Sequence, residues 1–175
     1  MSFQIIIEKA SLKHIDAIAE IERSSFVAPW SRKMLLSELE GHDFSHAHIA
    51  KIQEDPTKRP VIAGYIFFWS VADEIHIINI AVHPRFRKMG IGRRLLQVAL
   101  DYGRKTGARH AFLEVRVSNL NAQHLYTKMG FKVTGMRRGY YTDNREDALV
   151  MKYVFENDKN QKPEFRGQNL EDSKF

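Results

Sequence analysis

Glu74-Ile75-His76-Ile77-Ile78-Asn79-Ile80-Ala81-Val82-His83-Pro84 runs directly into Arg85-Phe86-Arg87-Lys88-Met89-Gly90-Ile91-Gly92-Arg93-Arg94-Leu95-Leu96. The first part is an isoleucine-dense strand. The second opens a helix, because Ile91, Leu95 and Ala99 recur every four residues, as do Leu96 and Leu100, and together they form one apolar stripe. Between them lies a basic turn with two glycines. A helix N-terminus carries unpaired N–H donors and a partial positive charge, so it receives phosphate oxygens readily. Gly90 and Gly92 let the main chain approach an oxyanion with no Cβ in the way. Arg87, Lys88 and Arg93 add charge-assisted bonds. The expected guest is a diphosphate.

Two common diphosphate sites are excluded by spacing. A dinucleotide fingerprint needs a third glycine three positions after Gly92, where Leu95 stands. A nucleoside triphosphate loop needs Gly-Lys-Ser/Thr after a four-residue gap, and the chain has none.

Outward from this turn the chain alternates elements. Upstream, residues 3–8 read as a strand. Leu12, Ile15, Ile18 and Ile21 then form a helical stripe capped by Ser11. Ser31 caps a second helix carrying Met34, Leu35 and Leu39, which Gly41 ends. Strands follow at 47–53 and 61–70, joined by a loop with two prolines. Downstream, Gly103 and Gly107 bracket the end of the long helix. The strand 111–117 places Ala111, Leu113, Val115 and Val117 on one face and Phe112, Glu114 and Arg116 on the other. Asn119 or Asn121 caps a helix with Ala122, Leu125, Tyr126 and Met129, closed by Gly130, and strands at 131–135 and 148–155 finish the pattern. The order β-α-α-β-β-β-α-β-α-β-β predicts an α/β fold with a mixed central sheet of about six to seven strands and about four helices.

Composition agrees with one such domain over residues 1–155. The chain has 175 residues, 43% apolar and 27% charged, enough to bury a core without covalent staples. Cysteine is absent, which excludes disulfides, a thiolate nucleophile and a cysteine-ligated zinc. Residues 156–175 hold five acids and four bases but one leucine and two phenylalanines, and read as a polar, mobile tail. Neither a membrane-spanning run nor a leader pattern is present, so a cytoplasmic protein without membrane contact is expected. The net charge is +6, and Arg85, Arg87, Lys88, Arg93 and Arg94 cluster with no acid among them. Such a cluster suits a polyanion, either cofactor phosphates or a nucleic-acid backbone, but no base-stacking platform accompanies it.

Arg87-x-x-Gly90-x-Gly92 after an isoleucine-rich strand resembles the acyl-CoA signature of the GNAT N-acetyltransferase superfamily. Leu113-Glu114-Val115-Arg116-Val117-Ser118-Asn119, with Ala122, Leu125-Tyr126 and Gly130-Phe131, is similar to the ribosomal-protein alanine N-acetyltransferases, the RimI group. So are Arg138-Gly139-Tyr140-Tyr141 with Arg145-Glu146-Asp147-Ala148, and Ala28-Pro29-Trp30-Ser31 after Ile21-Glu22. The similarity runs from about Ile5 to Val154.

The resemblance implies a GNAT fold and transfer of acetyl from acetyl-CoA to the N-terminal α-amine of a protein, an alanine of a small-subunit ribosomal protein in the RimI group. It implies that Ile80, Ala81 and Val82 hold the pantetheine by their main chain, with the Val82 N–H toward the thioester oxygen. Arg87, Lys88, Met89, Gly90, Ile91, Gly92 and Arg93 would grip the diphosphate, and Asn119 would hydrogen-bond the cofactor. By the same resemblance Glu114 is the base, through a water, and Tyr126 protonates the departing sulfur. Both residue types suit these tasks. An α-ammonium of pKa ~7.7–8.0 needs only a modest base, which partial burial of Glu114 would supply, and a phenol is a fair acid toward a thiolate. Tyr140 and Tyr141 are expected to form one wall of an acceptor groove and Trp30 the other. Arg137 and Arg138 could serve either CoA or an acidic part of a peptide.

Three other readings compete. Broader N-terminal acetylation would accept starts other than alanine. Acetylation of a small amine would need an acidic pocket, against which the two tyrosines argue. A basic nucleic-acid-binding module would use the Arg85–Arg94 cluster. His46-x-His48 places two imidazoles on one strand face, but no third ligand is evident, so no metal is expected. The acidic run at 143–147 lacks the glycine and spacing of a calcium loop and reads as a turn.

Overall fold

A computed structural model describes residues 3–55 and 57–156. The expectation of a mobile tail falls on residues outside them, apart from Glu156. Seven strands form one sheet in the order β1-β2-β3-β4-β5-β7-β6. They are β1 (Gln4–Lys9), β2 (Ser45–Gln53), β3 (Val61–Val71), β4 (Glu74–Val82), β5 (His110–Arg116), β6 (Lys132–Tyr141) and β7 (Glu146–Val154). The helices are α1 (Ile15–Ser25), α2 (Arg32–Glu40), α3 (Ile91–Thr106) and α4 (Leu120–Lys128). Only β4 and β5 pair in parallel, as they must, because α3 returns the chain between them. The predicted α/β element order is therefore the observed one.

Each face of the sheet has its own core. On one, the stripe Ile91, Leu95, Leu96, Ala99 and Leu100 of α3 packs with Ile66, Phe68, Ile75 and Leu113, and α4 adds Tyr126. Each such aliphatic side chain taken fully out of water contributes ~1.5–3 kcal/mol. On the other, Ile18, Ile21 and Leu35 of α1 and α2 cover Ile49, Tyr65, Phe67 and Ala81.

Several boundaries differ from expectation for local reasons. Leu12 is 48% exposed and lies in a single 3₁₀ turn before α1, with Ser11 capping that turn rather than the helix. Gly103 is buried inside α3 rather than at its end, because a Cβ there would stand 2.5 Å from the Phe155 ring and 2.9 Å from Ile75. Strand β5 stops at Arg116, and Val117 turns outward, 42% exposed. Strand β6 continues to Tyr141, well beyond the predicted 135, and is exposed over nearly its whole length as the edge of the sheet. The caps of α2 (Ser31 Oγ accepting from Met34 N–H) and α4 (Asn119 Oδ1 accepting from Ala122 N–H) are those anticipated.

His46 and His48 lie on one face of β2 and stack on Phe68, with ring centroids at 5.0 and 5.9 Å. His46 Nε2 and His48 Nδ1 are buried without a hydrogen-bond partner. Among the described residues no three His, Cys, Asp or Glu side chains cluster to hold a metal. Burial lowers the pKa of both imidazoles, and of His14, below the ordinary 6.5. The unfolded chain therefore binds more protons than the folded one below that pH, and stability present above pH 6.5 declines as pH falls. Thermal denaturation from pH 8 to pH 5 is expected to show a Tm that is flat above 7 and drops below 6.5. The double substitution His46→Phe, His48→Phe should flatten that slope, and an unchanged slope would remove the pair as its source.

Candidate active site

The parallel ladder between β4 and β5 ends at Ile77–Leu113, yet β4 continues to Val82 and β5 to Arg116. The two strands part beyond that point and leave a wedge. His83 N–H donates to Ala63 C=O at 2.9 Å, so these two residues form a hydrogen-bonded pair of the β3–β4 ladder. Antiparallel pairs alternate, which makes Val82–Gly64 and Ile80–Ile66 non-hydrogen-bonded pairs. The N–H and C=O groups of Ile80 and Val82 thus point away from β3, toward the wedge. Arg87 Nε and Ser25 Oγ reach the Val82 carbonyl at 3.2 and 3.4 Å.

A bulge in β4 shapes the other side. Phe67 faces Asn79 and Phe68 faces Ile77, so Ile78 has no partner on β3. The extra residue turns both Ile78 and Asn79 toward the α1–α2 side. A cavity of about 920 Å³ opens here, and Trp30, Ile80, Glu114, Asn119, Tyr126, Tyr140 and Tyr141 all line it. Seven of the residues singled out in the sequence are thereby gathered on one surface.

Ala81 and Val82 stand on β4 outside that lining, and the other seven sit in the turn that leads into α3 and in its first residues. Gly90 caps that helix at φ +83, Lys88 also has a positive φ of 64, and no side chain caps the end. The N–H groups of Ile91, Gly92 and Arg93 are free to point out of it. Arg87, Lys88, Gly90 and Arg93 are exposed. Among the described residues, none of Arg85, Arg87, Lys88, Arg93 and Arg94 forms an ion pair with an acid. Met89 and Ile91 turn their side chains into the core, so only their main chain is available to a ligand. Ala81 is buried under α1 and α2 in the same way. At Gly92 the missing side chain also serves packing, because a Cβ there would meet Leu125 at 3.2 Å. This glycine lets α3 and α4 approach, whereas a Cβ on Gly90 would meet nothing within 4 Å.

Glu114 lies on the face of β5 opposite the α3 core. Its side chain is 27% exposed and pairs with Arg137 on β6 at 3.3 Å, so it stands beside a guanidinium rather than in the apolar surroundings anticipated. The same Arg137 guanidinium lies 5.6 Å from the Tyr140 ring centroid, so it touches both that tyrosine and Glu114. Tyr126 is 6% exposed, and burial, with Tyr141 nearby, pushes its pKa well above 10. Its phenol keeps its proton at any working pH. Asn119 uses Oδ1 to cap α4, which confines the bond expected toward a cofactor to its Nδ2.

Arg116 was quoted only as part of the strand, and it organises the β6–β7 loop. It binds Asp143 at 2.9 Å and Glu146 at 3.1 Å and lies 3.8 Å over the Tyr141 ring. Bonds from Ser118 and from Arg116 hold the Glu146 carboxyl down at about 2, and burial pushes Tyr141 up to about 12. The acidic run read as a turn is therefore a turn held to β5 by charge. Two more residues of the site escaped sequence reading. Glu22 is 1% exposed and accepts from Trp30 N–H at 2.8 Å, from Asn79 Nδ2 at 3.3 Å and from the Tyr65 hydroxyl. It ties the Trp30 loop to the β4 bulge. The available signal was an acid four residues after Ile18, on the buried stripe of α1.

The sequence profile described as the acetyltransferase (GNAT) family matches residues 15–131. The chain belongs to that family. An Escherichia coli (strain K12) relative named as a ribosomal protein bS18-alanine N-acetyltransferase is 35% identical over 139 residues, which is 78% of this chain and 88% of the relative. A Bacillus subtilis (strain 168) relative that bears the same name provisionally is 40% identical over 151 residues, 86% of this chain and 96% of its own length. The crystal structure of the Escherichia coli ribosomal-protein-S18-alanine N-acetyltransferase superposes with a TM-score of 0.75 at 31% identity, covering 86% of this chain and 94% of that one. Ard1 from Thermoplasma volcanium gives 0.74 at 27%, covering 86% and 97%. The GNAT fold expected from the sequence is the fold observed.

Proposed function

We propose that this acetyltransferase moves acetyl from acetyl-CoA to the N-terminal α-amine of a protein, and that the acceptor is an alanine-starting ribosomal protein of the bS18 type. The observation that carries this reading is the wedge itself. Glu114, Tyr126 and Ile80 converge on one cavity, which Trp30, Tyr140 and Tyr141 also line, and the main chain of Ile80 and Val82 turns away from β3 along the same edge of β4. The names of the Escherichia coli and Bacillus subtilis relatives support the acceptor class.

Each residue has a defined task in the reaction. The bare, basic N-terminus of α3 binds the diphosphate of acetyl-CoA through the amides around Ile91–Arg93 and the side chains of Arg87, Lys88 and Arg93. The outward N–H of Val82 donates to the thioester oxygen as negative charge develops there. Glu114 takes the ammonium proton through a water, the amine nitrogen bonds to the acetyl carbon, and the carbon–sulfur bond breaks. Tyr126 supplies the proton to the departing thiolate, and the second proton that the nitrogen sheds as the amide forms restores the phenol, so one proton is released overall. Glu22 is not the base, because both of its oxygens already accept hydrogen bonds from the fold. The Arg85–Arg94 cluster serves cofactor phosphates rather than nucleic acid, and a ribosomal-protein acceptor places the activity in the cytoplasm. Among the described residues no helix is long and apolar enough to cross a membrane.

Mass spectrometry after incubation with acetyl-CoA and a panel of N-terminal peptides tests this directly. Alanine-starting peptides should gain 42 Da at the α-nitrogen. Equal turnover of other starts would shift the reading to a broader N-terminal acetyltransferase, and turnover of polyamines alone would overturn it.

A further inference from the structure

On the α1–α2 side, the two helices cover β2, β3 and the end of β4 but leave β5 and β7 open. Phe112 and Glu114 face that side, paired across the ladder with Lys152 and Val150. Phe112 stacks on His76 of β4 at 5.6 Å. A half-buried trough therefore leads away from Glu114 along the sheet.

Beside it lies a second pocket of about 440 Å³, lined by Trp30, Lys33, Met34, Ser37, Glu38, Trp69 and Ile78. Trp30, Met34 and Ile78 line the catalytic cavity as well, so the two are one continuous surface. Ile78 reaches it only because the β4 bulge adds a residue on this side. The walls are two indoles, a thioether and an isoleucine. At one end the Glu38 carboxylate is held in place, its Oε2 accepting from Trp69 Nε1 at 2.9 Å and from Ser45 Oγ at 2.7 Å. A site that is apolar with one fixed charged group is the usual chemistry of a specificity pocket.

We propose that this pocket receives a bulky apolar side chain of the acceptor chain, a few residues downstream of the amine that is acetylated, and that Glu38 excludes an acidic side chain there. The occupant is the acceptor because the pocket continues the acceptor wall at Trp30. This inference rests on the α-amine reading above. It makes specificity depend on more than the first residue: the pocket contributes binding energy that is the same in ground and transition states, so it lowers KM and leaves kcat unchanged.

The test uses alanine-starting octapeptides that are otherwise alanine and serine, with a single Leu, Ala or Glu placed in turn at positions three to six. At one or two positions Leu should raise kcat/KM about tenfold over Ala through KM, and Glu should fall below Ala. Ser37→Trp, which fills the pocket from an exposed helix position, should reduce the Leu peptide to the level of the Ala peptide and leave the Ala peptide unchanged. Trp69→Leu should act in the same direction. Indifference to the guest at every position, or an equal loss on both peptides in Ser37→Trp, would overturn the pocket. No product from any peptide, with acetyl-CoA still bound, would instead overturn the α-amine reading beneath it.

Discussion

Glu114→Gln is expected to lower kcat about 100-fold at pH 7, the ordinary size of a general-base contribution, while acetyl-CoA affinity stays within twofold. The amide keeps the shape of the side chain and removes its capacity to take a proton. At pH 7 only about a tenth of an α-amine of pKa near 8 is neutral, so most turnovers begin with a proton to be removed. Above pH 8.5 the amine is largely neutral without help, and the deficit of the variant should shrink. A pH–rate profile of both proteins over pH 6.5–9.5 reads this. A second cause must be separated from it, since Glu114 also pairs with Arg137 at 3.3 Å, beside Tyr140. Were the carboxylate only a brace for Arg137 and the acceptor wall, the variant would raise the peptide KM, and its deficit would persist in alkali. Equal rates at neutral pH would remove Glu114 from the proton transfer.

Gly90→Val is expected to weaken coenzyme A binding by at least 30-fold in calorimetry. Gly90 caps α3 at φ +83, and its missing side chain leaves space open beside the amides proposed to receive the diphosphate. A branched side chain would stand in that space and would also strain the left-handed backbone by ~1–3 kcal/mol. Gly92→Ala provides the contrast. Its Cβ would press on Leu125 at 3.2 Å between α3 and α4, so the expected loss is in Tm rather than in affinity for CoA. Normal binding by a folded Gly90→Val protein would mean that the phosphates are held elsewhere.

The basic turn and the apolar stripe of α3 were legible because they are local. Period, capping residues and glycines act within a few positions, and so α2, α3, α4 and their caps stand where sequence periodicity puts them. The two glycines of the turn looked alike in sequence. Only packing separates them, since what a Cβ would touch depends on a helix that arrives thirty residues later.

Glu22, Asn79 and Arg116 were not legible as parts of the site, for the same reason in reverse. Glu22 meets Trp30 nearby in the chain, but also Tyr65 and Asn79 on two strands, and Arg116 meets Asp143 and Glu146 across a hairpin. Charge complementarity over such separations has no period to betray it. The sequence by itself determined the order of elements and the basic, glycine-bearing turn at the start of α3, because local backbone geometry and hydrophobic spacing are short-range. The tertiary structure alone decided which strands part, which carboxylate faces the wedge with a guanidinium beside it, and that a second pocket continues the cavity past Trp30. Those outcomes depend on the β4 bulge and on sheet order, and both arise only when distant strands pair.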